Sequence, residues 1–324
     1  MRAIVRERYG SPDVVSLTEI DKPAPGRDQV LVKVRAASIN TADLDYLTGN
    51  PPIARVAFGL IRPRTTVMGC DLAGTVESVG AEVTRFSPGD EVWADLSGSG
   101  YGSFAEFACV REAILAAKPA GLSFVDAATV PHSGVLALQG LQAKRRVAPG
   151  QHVLVNGAGG CVGPFAVQLA KSWGAEVTGV DITAKLDWIR SIGADHVIDY
   201  TSQDFTRNGR RYDHILDIAA RGSVLRYRRS LTPTGSYVLI ARNLAGFVQA
   251  CVVGGAISIT GKKRMGIFGW SPSRRTDLDA LSGYFESGKL RPLIDSQCEL
   301  KEVPDALRAL AAGRARGKLV ITMS

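Results

Sequence analysis

The sequence predicts an α/β protein with two domains and a doubly wound parallel sheet in the central part of the chain. A chain of 324 residues is long enough to form two hydrophobic cores. Residues 1–124 contain short Val, Ile and Leu runs separated by turn signals, a pattern typical of antiparallel β structure. Residues 125–263 alternate apolar runs with helical stripes, which predicts parallel strands covered by helices.

The most informative stretch lies between residues 151 and 200. The apolar run His152–Asn156 predicts a buried strand, and a helical stripe begins at Pro164. Three glycines stand between them at steps of three: Gly157, Gly160 and Gly163. A second apolar run, Glu176–Val180, predicts another strand and is followed by Asp181. The order is therefore strand, glycine turn, helix, strand and acid.

Each part of this stretch suits a bound dinucleotide. Glycines let the backbone turn tightly and approach a pyrophosphate, while the helix N-terminus offers free N–H groups and a positive dipole end. Asp181, roughly 20 residues further on, is placed to accept hydrogen bonds from both hydroxyls of an adenosine ribose. The spacing is G-x-x-G-x-x-G rather than the strict G-x-G-x-x-G, so a glycine-rich turn of another α/β protein is the alternative.

Beyond this stretch the pattern predicts further elements in order. A helix is expected over Phe124–Arg146, and later helices over Ser223–Ser230, Thr276–Ser287 and Pro304–Ala312. Later strands are expected over Tyr212–Ala219, Gly235–Ala241, Ala256–Thr260, Leu293–Leu300 and Gly317–Thr322. The connector Asn50–Thr66 is apolar and interrupted by prolines, so it either covers a pocket or packs on the β domain.

The glycine stretch, VLVNGAGGCVGPFAVQLAKSWGAEVTGV followed by IRSIGADHVIDY, resembles the medium-chain dehydrogenase/reductase superfamily and its zinc-free quinone oxidoreductase (zeta-crystallin-like) branch. Segments from both ends agree: MRAIVRERYGSPDVVSL, VLVKVRAASINTADLDYLTG, RFSPGDEVW, GSFAEFACV and VPDALRALAAGRARGKLVI. The resemblance implies a Rossmann dinucleotide-binding domain over residues 125–263. It also implies a GroES-like, mostly-β catalytic domain over residues 1–124 that residues 264–324 complete.

The resemblance also implies a set of cofactor contacts. The expected residues are Asn40, Thr129, Gly157, Ala158, Gly160, Cys161, Val162, Gly163, Asp181, Lys185, Tyr200, Ile218, Ile240 and Lys318. Asp181 favours NAD(H) over NADP(H), because a carboxylate binds free ribose hydroxyls and repels a 2′-phosphate. Lys185 and Arg242 favour the opposite choice. For Lys318 a position on the surface is an equal alternative to contact with the phosphates.

Metal is not expected. In the zinc-dependent members the first ligand is a cysteine, and the matching residue here is Asn40; the G-H-E motif reads Gly69–Cys70–Asp71. A third ligand would lie near His132, and no cluster of four cysteines suits a structural zinc. A site formed by Cys70, Asp71 and His132 is the alternative.

Without metal, the implied reaction is hydride transfer from NAD(P)H to a quinone or an α,β-unsaturated carbonyl compound. The developing oxyanion then needs a hydrogen-bond or proton donor. The candidate catalytic residues are Asn40, Tyr46 and His132, where the structural alternatives are a core aromatic for Tyr46 and a carbonyl-bonded side chain for His132. Rival functions are alcohol/carbonyl dehydrogenation, redox-neutral work with bound cofactor, and a non-catalytic dinucleotide-binding regulator or RNA-binding protein.

The charge, apolar runs and cysteines of the sequence limit the kinds of partner and compartment that are expected. The net charge of +8 comes from basic residues crowded into the second half, yet no aromatic stacking platform accompanies them, so nucleic acid is not the expected partner. No apolar run of about 18 residues is present, and no membrane partner is expected. Five scattered cysteines and a charged start predict a cytoplasmic protein. The family implies a homodimer formed near Ile257–Thr260, with a small, apolar, conjugated substrate.

Overall fold

A computed structural model of the chain describes residues 1–50, 52, 55–220, 222–240, 244–267, 269–272 and 274–323. It divides into two compact units, one formed by residues 1–135 with 271–324 and the other by residues 136–270. We call them unit 1 and unit 2. The predicted boundaries, 124/125 and 263/264, lie somewhat earlier in the chain than the observed ones. Arg242, which the sequence offers as favouring NADP(H), is outside the described residues.

Unit 2 contains the predicted parallel sheet. Its strands are β8 (His152–Asn156), β9 (Glu176–Asp181), β10 (His196–Asp199), β11 (Tyr212–Asp217), β12 (Leu231–Leu239) and β13 (Arg264–Ile267). Its helices are α5 (Gly163–Ser172), α6 (Thr183–Ser191), α7 (Val224–Arg229) and α8 (Leu244–Thr260). The strand order is β10-β9-β8-β11-β12-β13, and every pair is parallel. The chain first adds strands on one side of β8 and then, from β11 onward, on the other side, so the switch point lies between β8 and β11. In doubly wound sheets ligands bind at such a switch point, beyond the carboxyl ends of the strands.

Unit 1 is built on mostly antiparallel strands. They are β1 (Arg2–Arg6), β2 (Val15–Glu19), β3 (Gln29–Ile39), β4 (Asp71–Val79), β5 (Glu91–Asp95), β6 (Phe107–Arg111), β7 (Ala116–Ala117), β14 (Ile294–Glu299) and β15 (Lys318–Thr322). The helices are α1 (Thr41–Thr48), α2 (Arg55–Phe58), α3 (Phe124–Ala127), α4 (Pro131–Gln142), α9 (Arg275–Glu286) and α10 (Val303–Ala311), with the boundary between the units falling inside α4. The main sheet runs β14-β15-β3-β4-β5-β7, and β6 also pairs with β3.

The C-terminal segment completes unit 1, as the sequence predicts. Strand β15 pairs antiparallel with β3, so that Leu319 lies opposite Ile39 and Val320 opposite Ser38. This pairing brings the end of the chain beside the residues that follow β3. It therefore places Lys318 next to Asn40, a neighbour that sequence spacing could not reveal.

Three predicted elements differ from the structure. Residues 256–260 belong to helix α8 and not to a strand, because the apolar run is long enough for a helix and periodicity alone cannot separate the two. The helix predicted over Phe124–Arg146 is two helices, α3 and α4, and α4 starts at Pro131, a residue favoured in a first turn. Residues 264–267, expected in the first domain, pair with β12 and lie in unit 2.

Candidate dinucleotide site and buried polar cluster

The glycine turn of unit 2 has the geometry of a phosphate cradle. Gly157 adopts a φ of +92°, a left-handed conformation that favours glycine, directly after β8. A Cβ on Gly163 would lie 2.5 Å from Ala158 Cα, so only glycine permits the helix to begin this close to the turn. Among the described residues, no side chain caps the N-terminus of α5. The N–H groups of its first turn are thus suited to an anionic ligand, which is the arrangement a pyrophosphate requires.

Asp181 and Lys185 converge on the same glycine of the turn. The N–H of Gly159 donates to Asp181 Oδ2 at 2.8 Å, and Ile182 N–H donates to Asp181 Oδ1 at 2.9 Å. Lys185 Nζ donates to the Gly159 carbonyl at 3.1 Å. Two backbone donors hold the Asp181 carboxylate at the end of β9, and its remaining lone pairs suit ribose hydroxyls. An ammonium group nearby also offers a contact for a phosphate.

The other predicted cofactor residues of unit 2 lie at the same edge of the sheet. Tyr200, Ile218 and Ile240 directly follow β10, β11 and β12, and backbone hydrogen bonds tie each to a neighbouring strand end. The glycine turn itself contributes Gly160 and the buried residues Ala158, Cys161 and Val162. The structure therefore brings together the unit 2 residues that the sequence assigns to the dinucleotide.

A second feature, the buried polar cluster, lies in unit 1. We define it as Ser38, Asn40, Asp43, Cys70, Asp71, Asp95, His132, Ser133 and Lys318, all of them buried. Strand pairing creates it, because Ser38 of β3 lies opposite Asp71 of β4, and Asp71 lies opposite Asp95 of β5. Three neighbouring strands thus present polar side chains at one level of the sheet.

Asp71 is the centre of this cluster. Its Oδ2 accepts hydrogen bonds from Ser38 Oγ at 2.9 Å, Asn40 Nδ2 at 2.8 Å and Lys318 Nζ at 3.1 Å. Its Oδ1 accepts the backbone N–H of His132 at 2.7 Å. A buried carboxylate is tolerated when it is paired and hydrogen-bonded in this way. Asp71 therefore acts as a structural anchor rather than as an open acceptor.

Lys318 is only 1% exposed and is a member of this cluster. Its Nζ donates to Asn40 Oδ1, Asp71 Oδ2 and Ser133 Oγ, the last at 3.1 Å. The alternative of a surface lysine is wrong, because β15 lies between β14 and β3 and buries the side chain. The predicted contact with cofactor phosphates stays a prediction, and the observed contacts of the ammonium group all lie within unit 1.

Asn40 is held from both sides. Its Oδ1 accepts from Ser133 Oγ at 2.9 Å and from Lys318, while its Nδ2 lies within bonding distance of Asp71 Oδ2, Ser38 O and Cys70 Sγ. An amide nitrogen has two hydrogens, and these partners account for both. Asn40 in this state orders the cluster and has no further hydrogen for a substrate carbonyl.

His132 is paired with an acid that the sequence analysis did not single out. Asp95 Oδ2 lies 3.2 Å from His132 Nδ1, and Asp95 Oδ1 accepts the N–H of Ser97 at 2.8 Å. Burial alone would lower the pKa of His132, but the charge and hydrogen bond of Asp95 and the charge of Asp71 outweigh it, so the pKa is raised. Burial opposes ionisation of Asp95 as well, yet His132 and Ser97 bring its pKa below the usual range. The pair favours an imidazolium beside a carboxylate.

Asp43 is the third buried carboxylate of the cluster. Its Oδ2 accepts the Asn40 N–H at 2.7 Å, as part of a capping box at the start of α1. Burial raises the pKa of Asp43 from 3.8 to about 7, and the negative charge of Asp71 adds to this, against the opposing charges of His132 and Lys318. Asp43 is therefore largely protonated in slightly acidic solution.

The raised pKa of Asp43 predicts an unusual pH dependence of stability. The folded protein holds this proton more tightly than the unfolded chain, so the contribution of Asp43 to stability is present below pH 3.8 and falls as the pH rises towards about 7. We expect Asp43→Asn to remove this loss and to unfold at a higher urea concentration than the wild type above pH 7, by a free energy on the order of 4 kcal/mol. The exposed control Asp305→Asn should follow the wild type. Equal pH slopes for wild type and Asp43→Asn would contradict the shift.

Tyr46 and Thr129 have structural contacts. The ring of Tyr46 stacks on Tyr101 at 3.7 Å between centroids and carries the Arg6 guanidinium on a face, and its hydroxyl donates to the Thr65 carbonyl at 3.1 Å. Thr129 Oγ1 donates to the Asp126 carbonyl at 2.7 Å. The core role that the sequence offers as an alternative for Tyr46 accounts for these contacts, and the catalytic and ribose-binding roles stay predictions.

The cluster also contains metal-ligand atoms. Ligand atoms of Cys70, Asp95 and His132 lie within 4.8 Å of one another. Burial and the neighbouring carboxylates raise the pKa of the Cys70 thiol well above its usual value, which opposes the thiolate that a metal requires. Asp71, which the sequence groups with Cys70 and His132, is instead engaged by Lys318 and three other donors. The predicted set of alternative ligands is therefore not the one that geometry brings together.

Comparison with known proteins agrees with this architecture. Residues 26–120 match the family described as the alcohol dehydrogenase GroES-like domain, and residues 192–321 match the family described as zinc-binding dehydrogenase. The chain is 33% identical to 2-methylene-furan-3-one reductase of Solanum lycopersicum, across 99% of this chain and 79% of that protein. The chain belongs to the medium-chain dehydrogenase/reductase superfamily. The predicted Rossmann and GroES-like folds are confirmed.

Other relatives place this superfamily member in the quinone oxidoreductase branch. It is 33% identical to the chloroplastic NADPH-dependent alkenal/one oxidoreductase of Arabidopsis thaliana, across 99% of this chain and 79% of that protein. The solved quinone oxidoreductase of Coxiella burnetii is 28% identical, with a TM-score of 0.86 and coverage of 100% and 99%. A solved NAD-dependent alcohol dehydrogenase is 26% identical, with a TM-score of 0.82 and full coverage of both chains. The similar proteins therefore include one named as NADPH-dependent and one named as NAD-dependent.

Proposed function

We propose that this medium-chain oxidoreductase transfers a hydride from NAD(P)H to a quinone or an α,β-unsaturated carbonyl compound. The observation that carries the proposal is the glycine cradle of unit 2, in which Gly163 leaves no room for a side chain and Asp181 is fixed at the next strand end. The relatives named as enone reductases and quinone oxidoreductases support the substrate class. When bound, the reduced nicotinamide supplies the hydride.

The chain must supply the proton. Addition of hydride to the β-carbon of an enone leaves an enolate, which is converted to the saturated ketone when it takes a proton; a quinone that accepts a hydride leaves a hydroquinone monoanion, which likewise takes one proton. We assign this role to His132, whose Nδ1 is held by Asp95, so that the imidazolium would donate from Nε2. Asp95 acts as the positioning residue that stabilises the charged ring. This assignment replaces Asn40 as the principal donor, because both hydrogens of the Asn40 amide are already bonded within the cluster.

The connector before β4 supports an apolar substrate. Phe58 packs edge-on against Tyr46 at 4.9 Å, which ties the connector to unit 1. Val56, Leu60 and Ile61 remain exposed, at 63%, 70% and 87%. The packing alternative thus describes Phe58, and we propose that the exposed side chains of the segment contact the conjugated substrate.

The reaction class is tested with three acceptors. Purified protein is mixed with NADH or NADPH and a 2-alkenal, a benzoquinone or a saturated ketone, and loss of reduced nicotinamide is followed by absorbance. Turnover with the alkenal or quinone, and not with the ketone, is expected. Turnover with the ketone alone would establish the alcohol/carbonyl alternative. Absence of turnover with every acceptor, together with salt-sensitive RNA binding, would instead favour the non-catalytic alternative.

We propose NADH as the preferred cofactor. The Asp181 carboxylate is fixed by two backbone donors, and its charge opposes a 2′-phosphate. Asp181→Asn keeps an oxygen for the Gly159 N–H but removes the charge. We expect it to shift the ratio of the NADPH and NADH dissociation constants towards NADPH by about tenfold or more, since a hydrogen bond to a charged group is worth roughly 1.5–3 kcal/mol. Nicotinamide fluorescence titrations measure both constants.

The variant Asp187→Asn, at an exposed position of helix α6, is the control for that titration. It should leave the ratio unchanged. If Asp181→Asn also leaves it unchanged, Asp181 does not set the cofactor choice. If the wild type already prefers NADPH, Lys185 rather than Asp181 dominates the pocket.

A zinc-dependent alcohol dehydrogenase is the second candidate, favoured by the grouping of Cys70, Asp95 and His132. We propose that the chain works without zinc, because His132 is already paired with Asp95 and the Cys70 thiol resists ionisation. Where zinc is bound, three side chains would hold it and a water would take the open position. Metal analysis of the purified protein, and activity after chelation, test this: stoichiometric zinc and loss of turnover on chelation would overturn the proposal.

The helices, cysteines and edge strand of the structure bear on the protein's location and assembly. None of the helices in the described part of the chain meets both the length and the hydropathy needed to cross a bilayer. We keep the cytoplasm as the expected compartment, since none of the five cysteines, all of which the structure describes, forms a disulfide.

The homodimer is expected through the edge strand β13 rather than residues 257–260, because those residues are helical. Analytical ultracentrifugation tests it.

A further inference from the structure

Unit 2 contains a buried carboxylate that the proposed reaction does not use. Asp217 is the last residue of β11, and its exposed fraction is 0%. Its Oδ1 accepts hydrogen bonds from Asn156 Nδ2 at 2.7 Å and from the Ala220 N–H at 3.0 Å. Its Oδ2 accepts the Tyr237 hydroxyl at 2.9 Å, and the Tyr227 hydroxyl is a further donor. The four donors are neutral groups: an amide, a backbone N–H and two phenols.

These donors leave Asp217 without an acceptor position for a ligand. A carboxylate has about four lone-pair positions, and the four donors account for all of them. Burial raises the pKa of Asp217, and the hydrogen bonds oppose that rise. A buried charge is tolerated when donors of this kind surround it. Asp217 therefore acts on the groups that donate to it, whereas Asp181 keeps lone pairs for a ribose.

The main target of these bonds is the turn that follows β11. We call residues 218–220 the β11 turn. The first two N–H groups of the turn donate to the Asn156 carbonyl at 2.9 and 3.2 Å, and the third donates to Asp217 Oδ1. The side chain of Asn156 donates to the same Oδ1 atom. Asp217 thus holds the β11 turn directly and also holds the residue to which the rest of the turn is bonded.

The β11 turn has a strained backbone and packs against the glycine turn. Ala220 has a φ of +53°, in the left-handed region that favours glycine. Such a conformation persists when the surrounding structure imposes it, and the bond from Ala220 to Asp217 is one such constraint. A Cβ on Gly157 would lie 3.3 Å from the Ala219 nitrogen. The β11 turn therefore lies directly beside the first glycine of the phosphate cradle.

The place of this turn in the sheet indicates which half of a dinucleotide it faces. A doubly wound sheet has two halves, and each half binds one mononucleotide beyond the carboxyl ends of its strands. With the adenosine ribose at Asp181, as proposed above, the adenosine half lies over β8, β9 and β10. The nicotinamide half then lies over β11, β12 and β13. The β11 turn is the first segment on that side of the switch point.

We propose that Asp217 is the positioning residue for the nicotinamide half of the dinucleotide site. It fixes the β11 turn before the cofactor binds, so that binding does not have to order this segment. Its backbone adds a second link, because the Asp217 carbonyl accepts the Ile240 N–H at the end of β12 at 2.9 Å. This inference rests on the dinucleotide site proposed above, but not on the identity of the acceptor or of the proton donor.

The test compares binding of the whole cofactor with binding of its adenosine half. Calorimetry measures the dissociation constants of NADH and AMP for each purified full-length protein. Asp217→Ala releases the β11 turn, so we expect its NADH constant to rise about tenfold or more while its AMP constant changes less than about threefold. Asp217→Asn keeps one oxygen for Asn156 and Ala220, and should bind NADH within about threefold of the wild type. Asp213→Ala, near the other end of β11, is the matched control and should leave both constants unchanged.

A second variant moves the turn and leaves the carboxylate in place. Ala220→Pro lacks the N–H that Asp217 accepts, and proline cannot adopt the φ of +53°. Ala220 is partly exposed, so this change should spare the core and weaken NADH binding as Asp217→Ala does. Unchanged NADH binding by these two variants, or an equal loss of NADH and AMP binding, would overturn the role of Asp217. A wild-type protein that binds neither NADH nor AMP would overturn the dinucleotide site itself.

Discussion

Replacement of Lys318 by methionine is expected to destabilise the protein by roughly 3–5 kcal/mol, the cost typical of breaking a buried ion pair from one side. Lys318 and Asp71 are 1% and 0% exposed at their side chains, and the Nζ–Oδ2 distance is 3.1 Å. Methionine fills a similar volume but supplies no charge, so Asp71 would be left as a buried carboxylate without its counter-ion. Urea unfolding at neutral pH measures the change.

Two further variants separate the ion pair from general effects of the substitution. Lys301→Met removes an exposed lysine, whose side chain is 65% exposed, and should change the free energy of unfolding by no more than about 0.5 kcal/mol. Adding Asp71→Asn to Lys318→Met removes the unpaired charge, and the double-mutant cycle should recover part of the lost stability. A Lys318→Met protein as stable as the wild type would show that the cluster does not depend on this ammonium group.

Replacement of His132 by glutamine is expected to lower kcat by about 10²–10⁴-fold, the range typical of a lost general acid. Binding of NADH should be retained, because the glycine turn and Asp181 lie in unit 2 whereas His132 lies in unit 1. The pH profile gives a second readout. Since the pKa of His132 is raised, its proton should persist above the usual range and kcat should decline only as the pH passes that raised value. Asp95→Asn should move this decline to lower pH.

Structural damage must be distinguished from chemistry in that experiment. His132→Gln leaves Asp95 without its imidazolium, so the double variant with Asp95→Asn keeps the site neutral and serves as the folded reference. His152→Gln, at a half-exposed histidine in unit 2, is the matched control and should keep wild-type kcat. A kcat for His132→Gln within a few-fold of the wild type would assign His132 to structure alone.

The dinucleotide site could be predicted from sequence because its chemistry is local. Gly157, Gly163 and Asp181 lie within a single strand–helix–strand unit, so spacing along the chain fixes their spacing in space. The apolar run of His152–Asn156 and the helix after it form as the sequence predicts. The prediction of a strand over residues 256–260 was wrong, because these residues end a 17-residue apolar helix and an apolar run has no period that separates a buried strand from a helix.

The buried polar cluster was decided by tertiary structure. Ser38, Asp71 and Asp95 come from three strands, and only their register places them at one level. Lys318 joins them because β15 returns to pair with β3, across 278 positions from Asn40. Asp95 gave no signal in the sequence beyond an acid at a strand end, and its role as the partner of His132 follows from packing alone. Long-range pairing sets which polar groups meet when they are buried, and burial is what gives Asp43 and His132 their shifted pKa values.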